Sequence, residues 1–118
     1  MKAIALLAVA IAVGVTAFVI ARSRSGSETA GPATFAEAQS IIKRRCQPCH
    51  SLHPTMAGYT EPASGFRLDV PANVKLFAEA IDRRAVSLKE MPLGNATHMT
   101  QAERDRLGSW TRAQTAKS

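Results

Sequence analysis

Two cysteines and a histidine form the segment of this sequence that is best suited to chemistry. Cys46 and Cys49 flank Gln47 and Pro48, and His50 follows directly. Cys-x-x-Cys-His is the motif that attaches a c-type haem, in which each thiol forms a thioether bond with one vinyl group of the porphyrin. The adjacent imidazole can then bind the iron as its proximal ligand. The chain contains 2 cysteines, so the motif uses both of them.

Three other interpretations of the cysteine pair are open. A closed tetrahedral zinc site needs four ligands at suitable spacings, and the histidines His50, His53 and His98 form no second paired cluster. A thioredoxin-like dithiol is expected in a βαβ context, whereas the segments around this pair have helical patterns. A structural disulfide or a chance spacing gives the neighbouring histidine no role. The motif therefore favours a covalent haem.

We expect Met91 to be the second axial ligand of the iron. Coordination by methionine and histidine raises the reduction potential and suits electron transfer. Pro92 disfavours a helical conformation at Met91, and Gly94-Asn95 can turn the chain. A stiff loop of this kind would present the thioether at a small entropic cost.

The other candidate ligands are less favoured. Met56 follows closely after His50, too close to reach the opposite haem face. Met99 precedes a helix start, where an apolar side chain commonly packs back on its own helix. His53 and His98 are rival imidazoles, but a lone histidine more often serves as a surface or hydrogen-bonded polar residue.

The loop after the motif is expected to hold the proximal histidine in place. Residues 51–69 are rich in Pro, Gly, Ser and Thr, which predicts an irregular loop around one haem edge. Hydrogen bonds to the second ring nitrogen of a ligating histidine fix its orientation and tune the metal. The backbone carbonyl of Pro62 is the candidate acceptor for His50.

The elements that must position these residues are predicted to be helices. Capping or first-turn signals mark three helix starts, at 34–37, 69–71 and 100–103. The first helix should end around Gln47-Pro48 and the second before Met91-Pro92. Apolar residues recur at helical spacing in each segment, and the sequence has neither a strand pattern nor a repeat. The domain is therefore predicted to be all-α.

The chain divides into three parts by composition. Residues 3–21 are apolar and uncharged, long enough to cross a bilayer, which predicts a transmembrane or signal helix over residues 1–21. Residues 22–33 predict a flexible linker, and residues 34–118 a single small domain. An uncleaved anchor is favoured over a removed signal peptide. The positive-inside rule would keep Arg22 and Arg24 cytoplasmic, but haem attachment requires the domain on the outer, periplasmic face.

Size and charge set further bounds. The chain has 118 residues and a formal net charge of +6. A domain of this size buries little core by itself, and a covalent haem would supply the missing apolar centre. The basic surface could steer docking to acidic partners. Nucleic acid is not an expected partner of an exported haem protein.

Residues 34–118 resemble a mono-haem class I cytochrome c. The features that resemble this family are the Cys-x-x-Cys-His motif that begins at Cys46, a loop with a proline, Met91-Pro92, the capping box at Thr100 and an aromatic last helix. It implies a helical fold around one covalent haem c, with Phe35 near Gly108 and Trp110 where the first and last helices cross. It also implies that the acceptor carbonyl lies on a proline at the position of Pro62.

A narrower resemblance is to the C-terminal haem domain of membrane-bound bacterial urate oxidases (urate hydroxylases). The similar segments are 45–51, 53–55, 91–100 and 103–104. In those proteins the domain follows a multi-helix membrane module, and here a single apolar segment stands in that place. The resemblance implies a detached haem domain that works with a separate membrane oxidase, with urate as one candidate for the upstream substrate.

The expected function is electron transfer rather than catalysis. The chain would carry single electrons from a membrane-bound redox enzyme to a terminal oxidase or another cytochrome, either anchored to the plasma membrane or free in the periplasm. It could also be the haem subunit of an oxidoreductase complex. A haem-based sensor or small catalyst with an open iron position is the alternative, and it requires that Met91 does not ligate. A thiol oxidoreductase without haem is the third hypothesis.

Overall fold

The computed structural model describes residues 31–118. The predicted N-terminal helix over residues 1–21 and most of the predicted linker, 22–33, lie outside the described residues. Within residues 31–118, no helix combines the length and the apolar character that crossing a membrane would require. Pro32–Ser118 form one compact unit.

Helix α1 spans Phe35–Arg45 and begins at a capping box, as predicted. The backbone N–H of Thr34 donates to a carboxylate oxygen of Glu37 at 2.7 Å, and the Thr34 hydroxyl accepts from the Glu37 N–H at 3.2 Å. These two bonds satisfy donors that the first turn of a helix otherwise leaves free. The helix ends at Arg45, slightly earlier than predicted, with Cys46 as its C-cap.

The middle of the domain contains several short helices in place of the predicted single one. A 3₁₀ turn at Ala63–Gly65 precedes α2, Pro71–Leu76, which has proline in its first turn as predicted. Phe77 then leaves the helical conformation, with φ −94° and ψ 15°, and separates α2 from α3, Ala78–Ile81. Helix α3 continues into a π-helical segment, Asp82–Ser87.

The last helix, α4, spans Gln101–Thr115 and follows a 3₁₀ turn at Leu93–Asn95. It begins at the predicted capping box, in which Thr100 and Glu103 exchange hydrogen bonds. The carboxylate of Glu103 accepts from the Thr100 N–H at 2.9 Å. The start of α4 is therefore set by local sequence.

The core lies where α4 packs against α1 and against α3 with its π-helical extension. The largest fully buried side chains are Ile42, Leu107, Val74 and Thr111. The Phe35 and Trp110 rings pack with centroids 5.5 Å apart, so these residues meet between the first and last helices as the resemblance implied. Residues 31–118 contain helices and no strands, which confirms the all-α prediction for this part of the chain.

Gly108 allows α4 to approach the π-helical segment closely. A Cβ atom at position 108 would lie 2.8 Å from Cγ1 of Val86. Carbon atoms that are not bonded pack at about 3.5–4.0 Å. Any larger residue would therefore push the two helices apart.

Candidate cofactor site

A cavity of about 710 Å³ opens between the end of α1, the following loop, α3 and the loop before α4. Both cysteines of the motif, His50 and Met91 line it. Pockets for small molecules and cofactors have volumes of roughly 300–1,000 Å³ and mostly apolar walls. Apolar side chains of this wall include Phe66, Leu68, Phe77, Ile81, Ala85 and Leu93. The four predicted site residues with the most direct chemistry thus share one wall.

The motif forms a tight turn at the end of α1. The Cys46 N–H still donates to the Ile42 carbonyl at 2.8 Å, as in a helix. The Cys46 carbonyl then accepts from the N–H groups of Cys49, at 3.1 Å, and His50, at 2.9 Å. These bonds fold the chain back, so that two cysteines and an imidazole reach the same cavity from one turn.

The thiols are free and poorly suited to disulfide exchange. Neither Cys46 nor Cys49 forms a disulfide. Burial raises the pKa of the Cys46 thiol to about 12, although the Arg104 guanidinium acts in the opposite direction. Burial also raises the pKa of Cys49. Because the thiolate is the nucleophile in thiol–disulfide exchange, two protonated thiols weigh against a thioredoxin-like role.

The imidazole of His50 is oriented by a backbone carbonyl. Its Nδ1 lies 3.1 Å from the carbonyl oxygen of Ala63. A carbonyl oxygen only accepts, so Nδ1 carries a proton, and in the neutral tautomer that this bond selects Nε2 has a free lone pair. The loop is itself anchored, because the Ala63 N–H donates to the Cys49 carbonyl at 2.9 Å and the Leu68 N–H to the His50 carbonyl at 2.8 Å. A neutral imidazole with a free Nε2 is the form that binds a metal.

The structure places the acceptor one residue after Pro62, the residue predicted from the sequence. The Pro62 carbonyl instead accepts from the Gly65 N–H at 2.9 Å and closes the 3₁₀ turn. The carbonyls of Pro62 and Ala63 each accept from the N–H three residues further on, and the one that also lies within hydrogen-bond distance of the His50 ring belongs to Ala63. Spacing in the sequence does not distinguish the two. The correction moves the orienting contact to Ala63 and leaves Pro62 as a residue that shapes the turn.

Met91 lies in a loop that is held from several sides. Its N–H donates to the Arg84 carbonyl at 3.0 Å, and its carbonyl accepts from the Arg104 guanidinium at 2.8 Å. Further along, the Asn95 side chain accepts from the Met99 N–H at 2.9 Å. The Met91-Pro92 peptide bond is cis. The hydrogen bonds fix the backbone of this loop at several points, and Met91 lines the cavity.

The other candidate ligands lie in the core, at the surface or at the cavity wall. Met99 is 4% exposed and belongs to the core, which fits the packing role predicted for it. His53 and His98 are exposed and are not part of the cavity wall. Met56, which was disfavoured for its closeness to His50, does line the cavity. Met91 and Met56 are thus the methionines of the described chain that can reach a ligand there.

Two large apolar side chains of the cavity wall are exposed. Phe66 is 42% exposed and Leu93 is 66% exposed. Phe66 also packs edge-on against Phe77, with ring centroids 4.9 Å apart. Exposed apolar surface in a cavity marks a ligand site. Sequence reasoning missed Phe66, whose signal was an aromatic residue within a loop of Pro, Gly, Ser and Thr.

A polar clamp fastens α1 to the loop before α4 beside the cavity. The Arg45 guanidinium donates to both carboxylate oxygens of Glu103, at 3.1 and 2.9 Å, and to the Thr97 carbonyl. In return the Thr97 hydroxyl donates to the Arg45 carbonyl at 2.7 Å. The sequence indicated no partner for Arg45 within the domain. Its partner in the capping box of α4 was visible in the sequence, but their contact was not.

No family profile, curated protein or solved structure matches this chain. The resemblance to class I cytochromes therefore rests on the sequence motifs. In residues 31–118 no group of three or more His, Cys, Asp or Glu side chains converges to hold a metal ion.

Proposed function

We propose that residues 34–118 form a mono-haem, class I-type cytochrome c that carries single electrons. One observation carries the proposal: His50, with Nε2 free for a metal, shares a cavity wall with Cys46, Cys49 and Met91. The volume and the apolar wall fit a flat apolar cofactor. The fold expected for such a protein is an all-α domain around the haem.

Six residues of the cavity wall have a role in this proposal. The thiols of Cys46 and Cys49 would form the thioether bonds, and His50 and Met91 would bind the iron. A covalently bound haem supplies an iron that gains and loses one electron while its ligands stay in place. Phe66 and Leu93 would then be covered, which keeps water from the site.

Covalent haem content tests the proposal directly. The full chain is produced in bacteria with an active cytochrome maturation system and purified, and the haem is then extracted with acidified acetone. We expect the colour to stay with the protein, and to be lost in the Cys46→Ala/Cys49→Ala double variant. A colourless wild-type protein whose two thiols react with an alkylating reagent would refute the proposal.

Carbon monoxide binding separates the carrier from the alternative sensor or small catalyst. With Met91 bound to iron, the reduced protein should bind carbon monoxide slowly or not at all. Rapid and tight binding would indicate an open iron position and would favour the sensor. This measurement is needed because Met56 also lines the cavity wall. The iron could be bound by the thioether of Met91, by that of Met56, or by neither.

We further propose that the domain works at the outer face of the bacterial plasma membrane, tethered by residues 1–21 or released into the periplasm. Its donor would be a membrane-bound redox enzyme, and its acceptor a terminal oxidase or another cytochrome. Co-purification from membranes, followed by reduction assays with urate among the electron donors, tests this assignment. Reduction by a different donor alone would remove the link to urate.

A further inference from the structure

Arg104 is a buried charge with an unusual set of partners. It lies in the second turn of α4 and is 5% exposed. Its guanidinium donates to the carbonyl of Ala85, to the carbonyl of Met91 at 2.8 Å and to the side-chain oxygen of Asn95 at 3.4 Å. Within residues 31–118, all of its hydrogen-bond partners are neutral. Burying a charge without an opposite charge is expensive, so its neighbours must compensate.

The partners of Arg104 all belong to the segment that presents Met91. Ala85 and Met91 line the cavity, and Asn95 holds the next turn of the loop through its bonds to Met99. One guanidinium therefore joins the π-helical segment, at Ala85, to two points of the loop, Met91 and Asn95. Its five donors in a rigid fork suit such a role better than a single ammonium group would.

We propose that Arg104 is a positioning residue that holds the Met91 thioether in the cavity and keeps a fixed positive charge beside it. The inference rests on the proposed function. Hydrogen bonds from a charged donor to the Met91 carbonyl restrain the backbone of the ligand residue. The uncompensated positive charge opposes a further gain of positive charge in the cavity, and so favours the reduced form of a bound haem.

Arg106 provides a matched control on the same helix. It pairs with Glu37 across α1 and α4 at 2.7 Å, and it does not line the cavity. Arg106→Leu removes one positive charge and the ion pair with Glu37, and it leaves the three hydrogen bonds of Arg104 in place. The two variants therefore remove the same charge from the same helix, and differ in their relation to the Met91 loop.

The experiment compares wild type, Arg104→Leu, Arg104→Lys and Arg106→Leu as holoproteins. The ferric sulfur-to-iron charge-transfer band, the affinity for added imidazole and the midpoint potential are measured, with circular dichroism to check the fold. Arg104→Leu should weaken or lose the band and have a lower potential than Arg106→Leu. It should bind imidazole about tenfold more tightly than wild type, a change equivalent to about 1.4 kcal/mol. Arg104→Lys, with its charge but a single donor group, should fall between the two.

The outcomes separate this inference from the proposed function. A wild-type protein without covalent haem, or without the sulfur-to-iron band, overturns the haem site or the Met91 ligation itself. A wild-type protein with the band, together with an Arg104→Leu variant that matches Arg106→Leu in all three measurements, overturns only the role of Arg104. If Arg104→Leu does not fold, Arg104→Lys decides, and wild-type imidazole affinity in that variant overturns the inference.

Discussion

Replacing Glu103 by glutamine should destabilise the domain, because this carboxylate is part of two structures at once. It caps α4 through Thr100 and pairs with Arg45 at 2.9 Å and Arg44 at 3.3 Å. The Glu103 side chain is 15% exposed. Glutamine keeps an oxygen for the cap and removes the charge, so the change isolates the ion pairs between α1 and α4.

The expected cost at neutral pH follows from the pKa of Glu103. Burial alone raises this pKa, but hydrogen bonds from the Thr100 N–H and the guanidinium groups of Arg45 and Arg44 lower it to about 2, from an ordinary value of 4.5. That difference corresponds to ~3 kcal/mol at most. Part of it comes from the Thr100 hydrogen bond, which glutamine keeps, and this together with solvent screening of a partly exposed pair reduces the expected cost to ~2 kcal/mol. For a domain of this size we expect the melting temperature to fall by ~8–16 °C.

The lowered pKa of Glu103 also determines how the stability of the domain changes with pH. A carboxylate whose pKa is lower in the folded state stabilises the protein fully above its unfolded pKa, and the contribution disappears as the pH falls through the folded pKa. The difference in unfolding free energy between wild type and Glu103→Gln should therefore be full above about pH 4.5 and shrink towards pH 2. Urea unfolding of the two holoproteins, followed by circular dichroism at several pH values, measures this difference.

Glu90→Gln is the matched control for this experiment. Glu90 pairs with Arg84 at 2.6 Å, but both side chains are about half exposed, so its loss should cost about 0–1 kcal/mol. If Glu103→Gln is as stable as Glu90→Gln at pH 7, the ion pairs of Glu103 with Arg45 and Arg44 do not stabilise the domain as proposed. A difference from wild type that stays constant between pH 7 and pH 2 would refute its electrostatic origin.

Three further changes test other parts of the structure. Met91→Ala should abolish the ferric sulfur-to-iron band and lower the midpoint potential; an unchanged spectrum would move the ligand to Met56, and Met56→Ala is the control. A Gly→Ala change inside a helix normally stabilises it by about 1 kcal/mol. Gly108→Ala should instead destabilise the domain by ~1–3 kcal/mol, because the new Cβ atom would lie 2.8 Å from Cγ1 of Val86. A raised melting temperature would contradict that contact. Cys46→Ala should leave one thioether bond and shift the pyridine haemochrome band to longer wavelength, and a wild-type band would show that Cys46 is not attached.

The helix starts were accessible from local sequence because their causes are local. A capping box needs a hydroxyl and a carboxylate three residues apart, and both predicted boxes, at Thr34 and Thr100, are formed. Proline in the first turn marks α2 for the same kind of reason. The break at Phe77 and the π-helical segment were not predicted, because the apolar spacing of α2 and α3 continues through both.

The sequence by itself determined which residues have the chemistry: the cysteine pair, the adjacent histidine and a methionine in a stiff loop. These are properties of residue type and short spacing. Only the tertiary structure decided which groups meet, since a contact between distant residues depends on how the helices pack. It moved the His50 acceptor from Pro62 to Ala63 and brought Met56 to the cavity wall. It also buried Arg104 against the Met91 loop. The sequence pattern of α4 does not indicate this contact, because a charged side chain on a helix is usually exposed.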